Sequence, residues 1–145
     1  LPYTKNPPVL STVRDIHRMR VLADRLHRRH AFDIVHCRSD LPALVGRKLK
    51  RAHGLRFLFD MRGLWADERV DGGLWDLRNP LYRSVYLFFK RRERQFLREA
   101  DAIVSLTHAA AHLLERERPT APIDTIPCCA DLDLFRPASA AQRAA

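Results

Sequence analysis

The sequence is short of most features that announce a mechanism. It holds three cysteines, Cys37, Cys128 and Cys129. Their odd number and spacing match neither a disulfide framework nor a zinc site, so a reducing compartment is the default. Its five glycines form no Gly-x-Gly-x-x-Gly and no Gly-x-x-x-x-Gly-Lys-Ser/Thr, which excludes a dinucleotide fingerprint and a P-loop. Without a Gly-x-Ser-x-Gly elbow, an α/β-hydrolase nucleophile is unsupported. There is no signal-peptide pattern, and no apolar run approaches the roughly 18 residues of a membrane span. A cytoplasmic location is therefore expected. Acid is scarce as well: 17 Asp and Glu stand against 26 Lys and Arg, a net charge of +9.

What is present describes an ordinary globular chain. Its 145 residues, 46% of them hydrophobic, suffice for one domain with one core. The arginine surplus suits phosphate, nucleic acid or an anionic membrane surface, or simply decorates solvated helix faces. The chain opens at Leu1 and ends in a small-residue stretch, 138–145, which suggests a piece of something longer.

Hydrophobic periodicity gives alternating helices and strands. Ser11 and Thr12 offer an N-cap, with Asp15 as capping-box acid, for a helix to about Arg29. Val13, Ile16, Met19, Ala23 and Leu26 make its apolar face. Phe32 to Cys37 reads as a strand. Ser39 or Asp40 caps a second helix, with Leu41, Leu44, Val45 and Leu49 inward, Arg47 outward and Gly54 as its stop. Leu55 to Phe59 is a second strand, followed by a long loop to Asn79, tipped by Gly72 and Gly73. Pro80 opens what reads as the longest helix, to about Glu99, with Glu93 inside its apolar stripe. Ala102 to Leu106 is a third strand, Thr107 caps a helix to about Arg116, and Ile123 to Ile126 is a fourth strand. Leu132, Leu134 and Phe135 are read as anchors beyond it. The alternation implies a parallel sheet with right-handed crossovers.

Candidate chemistry concentrates where the second strand ends. Open α/β sheets place ligands beyond the carboxyl ends of their strands. Arg62 offers a planar fork for phosphate or carboxylate, and Gly63 allows close backbone approach. Asp67 and Glu68 could accept sugar hydroxyls or a proton; a structural salt bridge is the alternative. His36 reads as a satisfied core histidine at a strand end, and Glu93 as a helix carboxylate partnered by a nearby Arg. His108 and His112 are four apart on a helix but lack the glutamate of a zinc motif. Asp131-Leu-Asp133 has the form of an acidic metal motif, at a spacing too common to carry weight. No metal site is expected.

Taken together, Asp33-Ile-Val-His36, Phe59-Asp-Met-Arg-Gly63 with Trp65-Ala-Asp-Glu68, Lys90 to Glu93, Ala100-Asp-Ala-Ile-Val-Ser105, and Ile126-Pro127 followed by Asp131 and Phe135-Arg-Pro137 come in one order. That ordered set resembles the amino-terminal domain of family 4 glycosyltransferases. The resemblance implies a partial GT-B amino-terminal domain: a Rossmann-like parallel sheet with helices on both faces over 1–137, its first strand not recognisable, and 138–145 a tail or the start of an interdomain linker. It also implies retaining, hexosyl-type transfer from a nucleotide-sugar substrate, as in polysaccharide biosynthesis, without metal or other cofactor. The acceptor would be a glycan, a lipid or a small molecule. The partner would be a carboxyl-terminal donor-binding domain, without which the chain is expected to be inactive. Asp60, Asp67 and Glu68 are then the catalytic candidates, and Arg62, Gly63, Trp65, Ser105, Thr107 and Asp131 would bind acceptor or line the cleft. The basic, aromatic helix from Pro80 could touch a membrane peripherally. The alternatives are a non-catalytic basic module binding nucleic acid or a protein, and a sugar-nucleotide epimerase of like architecture.

Overall fold

The computed structural model describes residues 8–117, 119–131 and 135. Its elements run α1 (Pro8–His30), β1 (Ile34–Arg38), α2 (Asp40–His53), β2 (Arg56–Met61), α3 (Trp65–Asp71), α4 (Pro80–Glu99), β3 (Ala102–Ser105), α5 (His108–Glu115) and β4 (Ile123–Thr125). The four strands are parallel and adjacent in chain order. The architecture is α/β and Rossmann-like.

Strand alternation sets the core. Cys37, Phe59 and Ile103 pair across three strands and share one face. Phe57, Phe59, Ala43 of α2, Phe96 and Leu97 of α4, and Leu114 of α5 close the main cluster on that face. Phe96 stands edge-on to Phe59 with centroids 5.4 Å apart. α1 adds Ile16, Met19 and Ala23 to a satellite cluster around Val45, Leu49 and Leu55. Cover for the second face, which carries Ile34, His36, Leu58 and Val104, does not come from these clusters.

Several local expectations hold for the reasons given. Gly54 closes α2 in the left-handed region at φ 74 and returns its N–H to Lys50. Thr107 Oγ1 accepts from Ala110 N–H at 3.1 Å and caps α5.

Others change. α1 starts at Pro8, a good first-turn residue, so Ser11 and Thr12 lie inside the helix. At 23 residues it is longer than α4, at 20. Val13 and Leu26 of its expected apolar face are exposed. The long loop after β2 contains α3. Arg47 is not an outward residue: it bonds Glu99 through two nitrogens. Glu93 is buried but its partner is Lys90 rather than an arginine. Phe135 is exposed; Leu132 and Leu134 lie outside the described residues.

Candidate functional site

Parallel pairing brings the carboxyl ends of all four strands to one edge of the sheet. β1 is followed by Ser39, which takes φ 73 and ψ 175, a region that L-residues other than glycine rarely adopt. Its N–H donates to the Asp60 carbonyl at 2.9 Å. That turn carries the chain off the sheet into α2 and leaves the Ser39 side chain with no capping bond, contrary to its expected role. Ser39→Gly is expected to stabilise the domain by about 1 kcal/mol by relieving this geometry, readable as a shift of the urea midpoint at unchanged slope.

β2 ends in the candidate stretch. Asp60 is 8% exposed. Its Oδ2 lies 3.2 Å from His36 Nε2, while its Oδ1 is buried without a hydrogen-bond partner. His36 is an exposed strand residue reaching across the sheet to a carboxylate, not a core histidine. Strand register makes the pair: Arg38 faces Asp60, so His36 is its diagonal neighbour on the same face.

On the other side of the same edge, Arg62, Gly63, Ser105 and Thr107 line a cavity of about 180 Å³, floored by Met61 and Leu114. Ser105 is buried and donates to the Thr107 carbonyl at 3.1 Å. Arg62 Nη2 donates to Cys128 Sγ at 3.2 Å, tying the segment after β4 to the end of β2. A methyl group at Gly63 would collide with the Glu68 carboxylate, the flexible end of a long side chain that can swing aside.

The remaining candidates go elsewhere. Asp67 accepts from Tyr86 Oη and from Lys90 Nζ, each at 2.8 Å, and pins α3 to α4. The contact with Lys90 is an ion pair of the kind the sequence offers as the alternative reading. Glu68 is exposed apart from its approach to Gly63. Trp65 packs edge-on to Phe89 at 4.7 Å and to Trp75 at 5.4 Å, on the helix side. Asp131 is exposed, its carbonyl accepting from Phe135 N–H. Among the described residues no group of three or more His, Cys, Asp or Glu is placed to hold a metal ion. His108 and His112 are exposed, and His112 meets Glu115 at 3.1 Å.

Behind α3 lies a buried charge cluster. Lys90 Nζ donates to Asp67 and to Glu93, the latter 4% exposed. Burial alone would lower the Lys90 pKa, but the two carboxylates outweigh it and the pKa is raised. Glu93 is raised, by desolvation first and against the pull of Lys90. Asp40, 1% exposed at the start of α2, has both oxygens without a hydrogen-bond partner. Desolvation first, then the charge of Glu93, pushes it up to about 7. The basic surplus is partly spent in structure. Arg47 and Arg51 both chelate Glu99, and Lys50 bonds the Glu99 carbonyl and Asp101. No helix of the described residues is long and apolar enough to cross a membrane.

The geometry is that of a Rossmann-like domain with Asp60, Arg62, Ser105 and Thr107 together at the carboxyl edge of its sheet, the edge where such folds bind ligands. No curated protein matches the chain. The family profile of the glycosyl transferase 4-like domain matches residues 2–129, most of the 145 residues. The chain belongs to the glycosyl transferase 4-like domain family, and its general role is glycosyl transfer.

Proposed function

We propose that this domain forms the acceptor side of a retaining glycosyltransferase, opposite a second domain that presents a nucleotide-sugar donor. The observation that supports it is the convergence at one sheet edge of the His36–Asp60 pair, Arg62 and the cavity bounded by Ser105 and Thr107. Sugar hydroxyls need acceptors and donors at fixed positions. The Asp60 carboxylate accepts, and the Arg62 guanidinium donates to a hydroxyl, carboxylate or phosphate of the acceptor. The strand ends hold these groups on rigid backbone, so the rate advantage lies in positioning and in charge placed where it develops. Asp67, bound to Tyr86 and Lys90, serves to hold α3 rather than to take a proton.

The test is transfer from nucleotide-sugar donors by the enzyme that contains this domain, with the product's anomeric configuration followed by NMR as it forms. The donor configuration is expected in the product. Inversion would remove the retaining assignment. Transfer from lipid-phosphate sugars but from no nucleotide sugar would remove the donor class.

A further inference from the structure

A second cavity, larger than the one at the strand ends, lies elsewhere on the domain. About 730 Å³ in volume, it lies among α1, α2, the segment from α3 to Trp75, and α4. That is the size of a small-molecule site rather than of a groove for a partner helix several turns long. Its floor is aromatic. Trp65, Trp75 and Phe89 form a cluster with centroids 4.7 to 6.1 Å apart, and Phe88 stands edge-on to Phe89 at 5.2 Å. Val13, Leu74 and Phe88 line it and are nonetheless exposed, at 59%, 58% and 43%. A contiguous apolar surface of this kind marks a binding site, not scattered exposure.

The charge around it has one sign. Arg47, Lys48, Arg69 and Arg92 line the cavity, and no Asp or Glu does. Arg47 is committed to Glu99. Arg92 lies over the Phe88 ring and donates to Gln95. Lys48 and Arg69 have no ion-pair partner among the described residues, and Arg69 only rests on the Trp65 ring at 5.1 Å. An apolar floor with unneutralised cations at its rim complements a molecule with a hydrocarbon tail and an anionic head. For sugar hydroxyls the lining offers the hydroxyls of Ser11, Thr12, Tyr82 and Ser84 but no carboxylate or amide. Trp and Tyr, with Arg and Lys beside them, are the residues that meet a lipid headgroup where it joins its chain.

We infer that this cavity binds the chain and phosphate of a lipid phosphate, with the tail over Trp65, Trp75 and Phe89 and the phosphate between Lys48 and Arg69. The inference deepens the acceptor reading by naming a lipid-linked acceptor, and rests on that reading only for the reaction; binding is measured without transfer.

Both tryptophans of the sequence, Trp65 and Trp75, line the cavity, so intrinsic fluorescence reports on it alone. Farnesyl phosphate, titrated below its micelle concentration, is expected to give a saturable blue shift. Farnesol should bind about tenfold more weakly, and inorganic phosphate should give no shift, because head and tail each contribute. Lys48→Ala with Arg69→Ala should weaken farnesyl phosphate about tenfold or more and leave farnesol unchanged. These side chains lie at the rim, and circular dichroism of the variant verifies its fold. No saturable shift, equal binding of farnesol and farnesyl phosphate, or an unaltered affinity in the double variant overturns the inference. So does a concentration-dependent dimer that Val85→Arg abolishes while no lipid binds, since the cavity would then be a face between copies. Failure here, with transfer to a water-soluble acceptor intact, removes the lipid and leaves the transferase reading standing.

Discussion

Lys90→Met should destabilise the domain by about 3–5 kcal/mol near neutral pH. Lys90 is the only cation bonded to both Asp67 and Glu93 among the described residues. Met keeps an apolar stem of similar length but removes the charge. Glu93 would then be a buried carboxylate with no partner at all, since its second oxygen already has none. Asp67 would keep only the Tyr86 hydroxyl. The loss depends on pH in a defined direction. Glu93 is raised in the folded protein even with Lys90 in place. Without Lys90 it rises further, so the folded state takes up a proton that the unfolded state releases at lower pH. Stability of the variant should therefore recover as pH falls toward 5 and worsen toward 8. Urea unfolding of parent and variant at those two pH values measures it. Equal losses at both would show that Lys90 acts through packing and not through its charge.

Asp40→Asn should do the reverse and stabilise the protein at high pH. The Asp40 carboxyl titrates at about 7 in the folded protein, against 3.8 for the ordinary group. A group whose folded pKa is raised contributes stability below its unfolded value, and that stability is lost as pH rises through the folded value. The window runs from about pH 4 to pH 7, and the difference between the two states corresponds to about 4 kcal/mol across it. The start of α2 offsets some of this, because a helix N-terminus favours an anion. Asparagine cannot ionise, so the variant should gain about 3 kcal/mol over the parent at pH 8 and differ by less than about 1 at pH 4. Parallel stability curves across the range would mean that Asp40 stays ionised in the fold.

Lys90 and Asp40 belong to one group, together with Glu93 and Asp67, packed between the start of α2, α3 and the middle of α4. Lys90 lowers the Asp40 pKa, so its removal should also push Asp40 higher. The two variants are therefore not additive, and the double variant should be more stable at pH 8 than the sum of the single effects gives.

The sheet was legible in the sequence because its strands carry the signal directly. Phe57 and Phe59 are a dense apolar run between turn residues, and Ile103 repeats the pattern. Gly54 and Thr107 mark helix ends by chemistry that requires no knowledge of the fold. α3 was not legible. It has seven residues, and Leu64 before it supplies no side-chain cap. So short a helix is unstable alone and forms because Trp65 packs on Phe89 and Asp67 bonds to α4. The candidate site was half legible. Arg62, Gly63, Ser105 and Thr107 follow strands, so position in the chain places them at one edge. The His36–Asp60 pair depends on strand register, which no local pattern reveals; only parity, with His36 next to buried Cys37 and Asp60 next to buried Phe59, hinted at a shared face. Arg47 was misplaced for a physical reason. Polar residues on a helix normally face water, and only the crossing of α2 with α4 turns Arg47 inward to Glu99.

On the proposed reading, the acceptor meets the carboxyl edge of the sheet at the end of β2. Steady-state kinetics of Arg62→Ala in the enzyme containing this domain test it most directly, with acceptor and donor varied separately. Among the described residues the one hydrogen bond of the Arg62 side chain goes to the exposed Cys128, so its removal breaks no bond to the core. The predicted result is a fall of about 100-fold in kcat/KM for the acceptor, the scale of one charge-assisted contact in a water-poor site, with the donor KM unchanged. Unchanged acceptor kinetics, or a loss confined to the donor, would contradict the account.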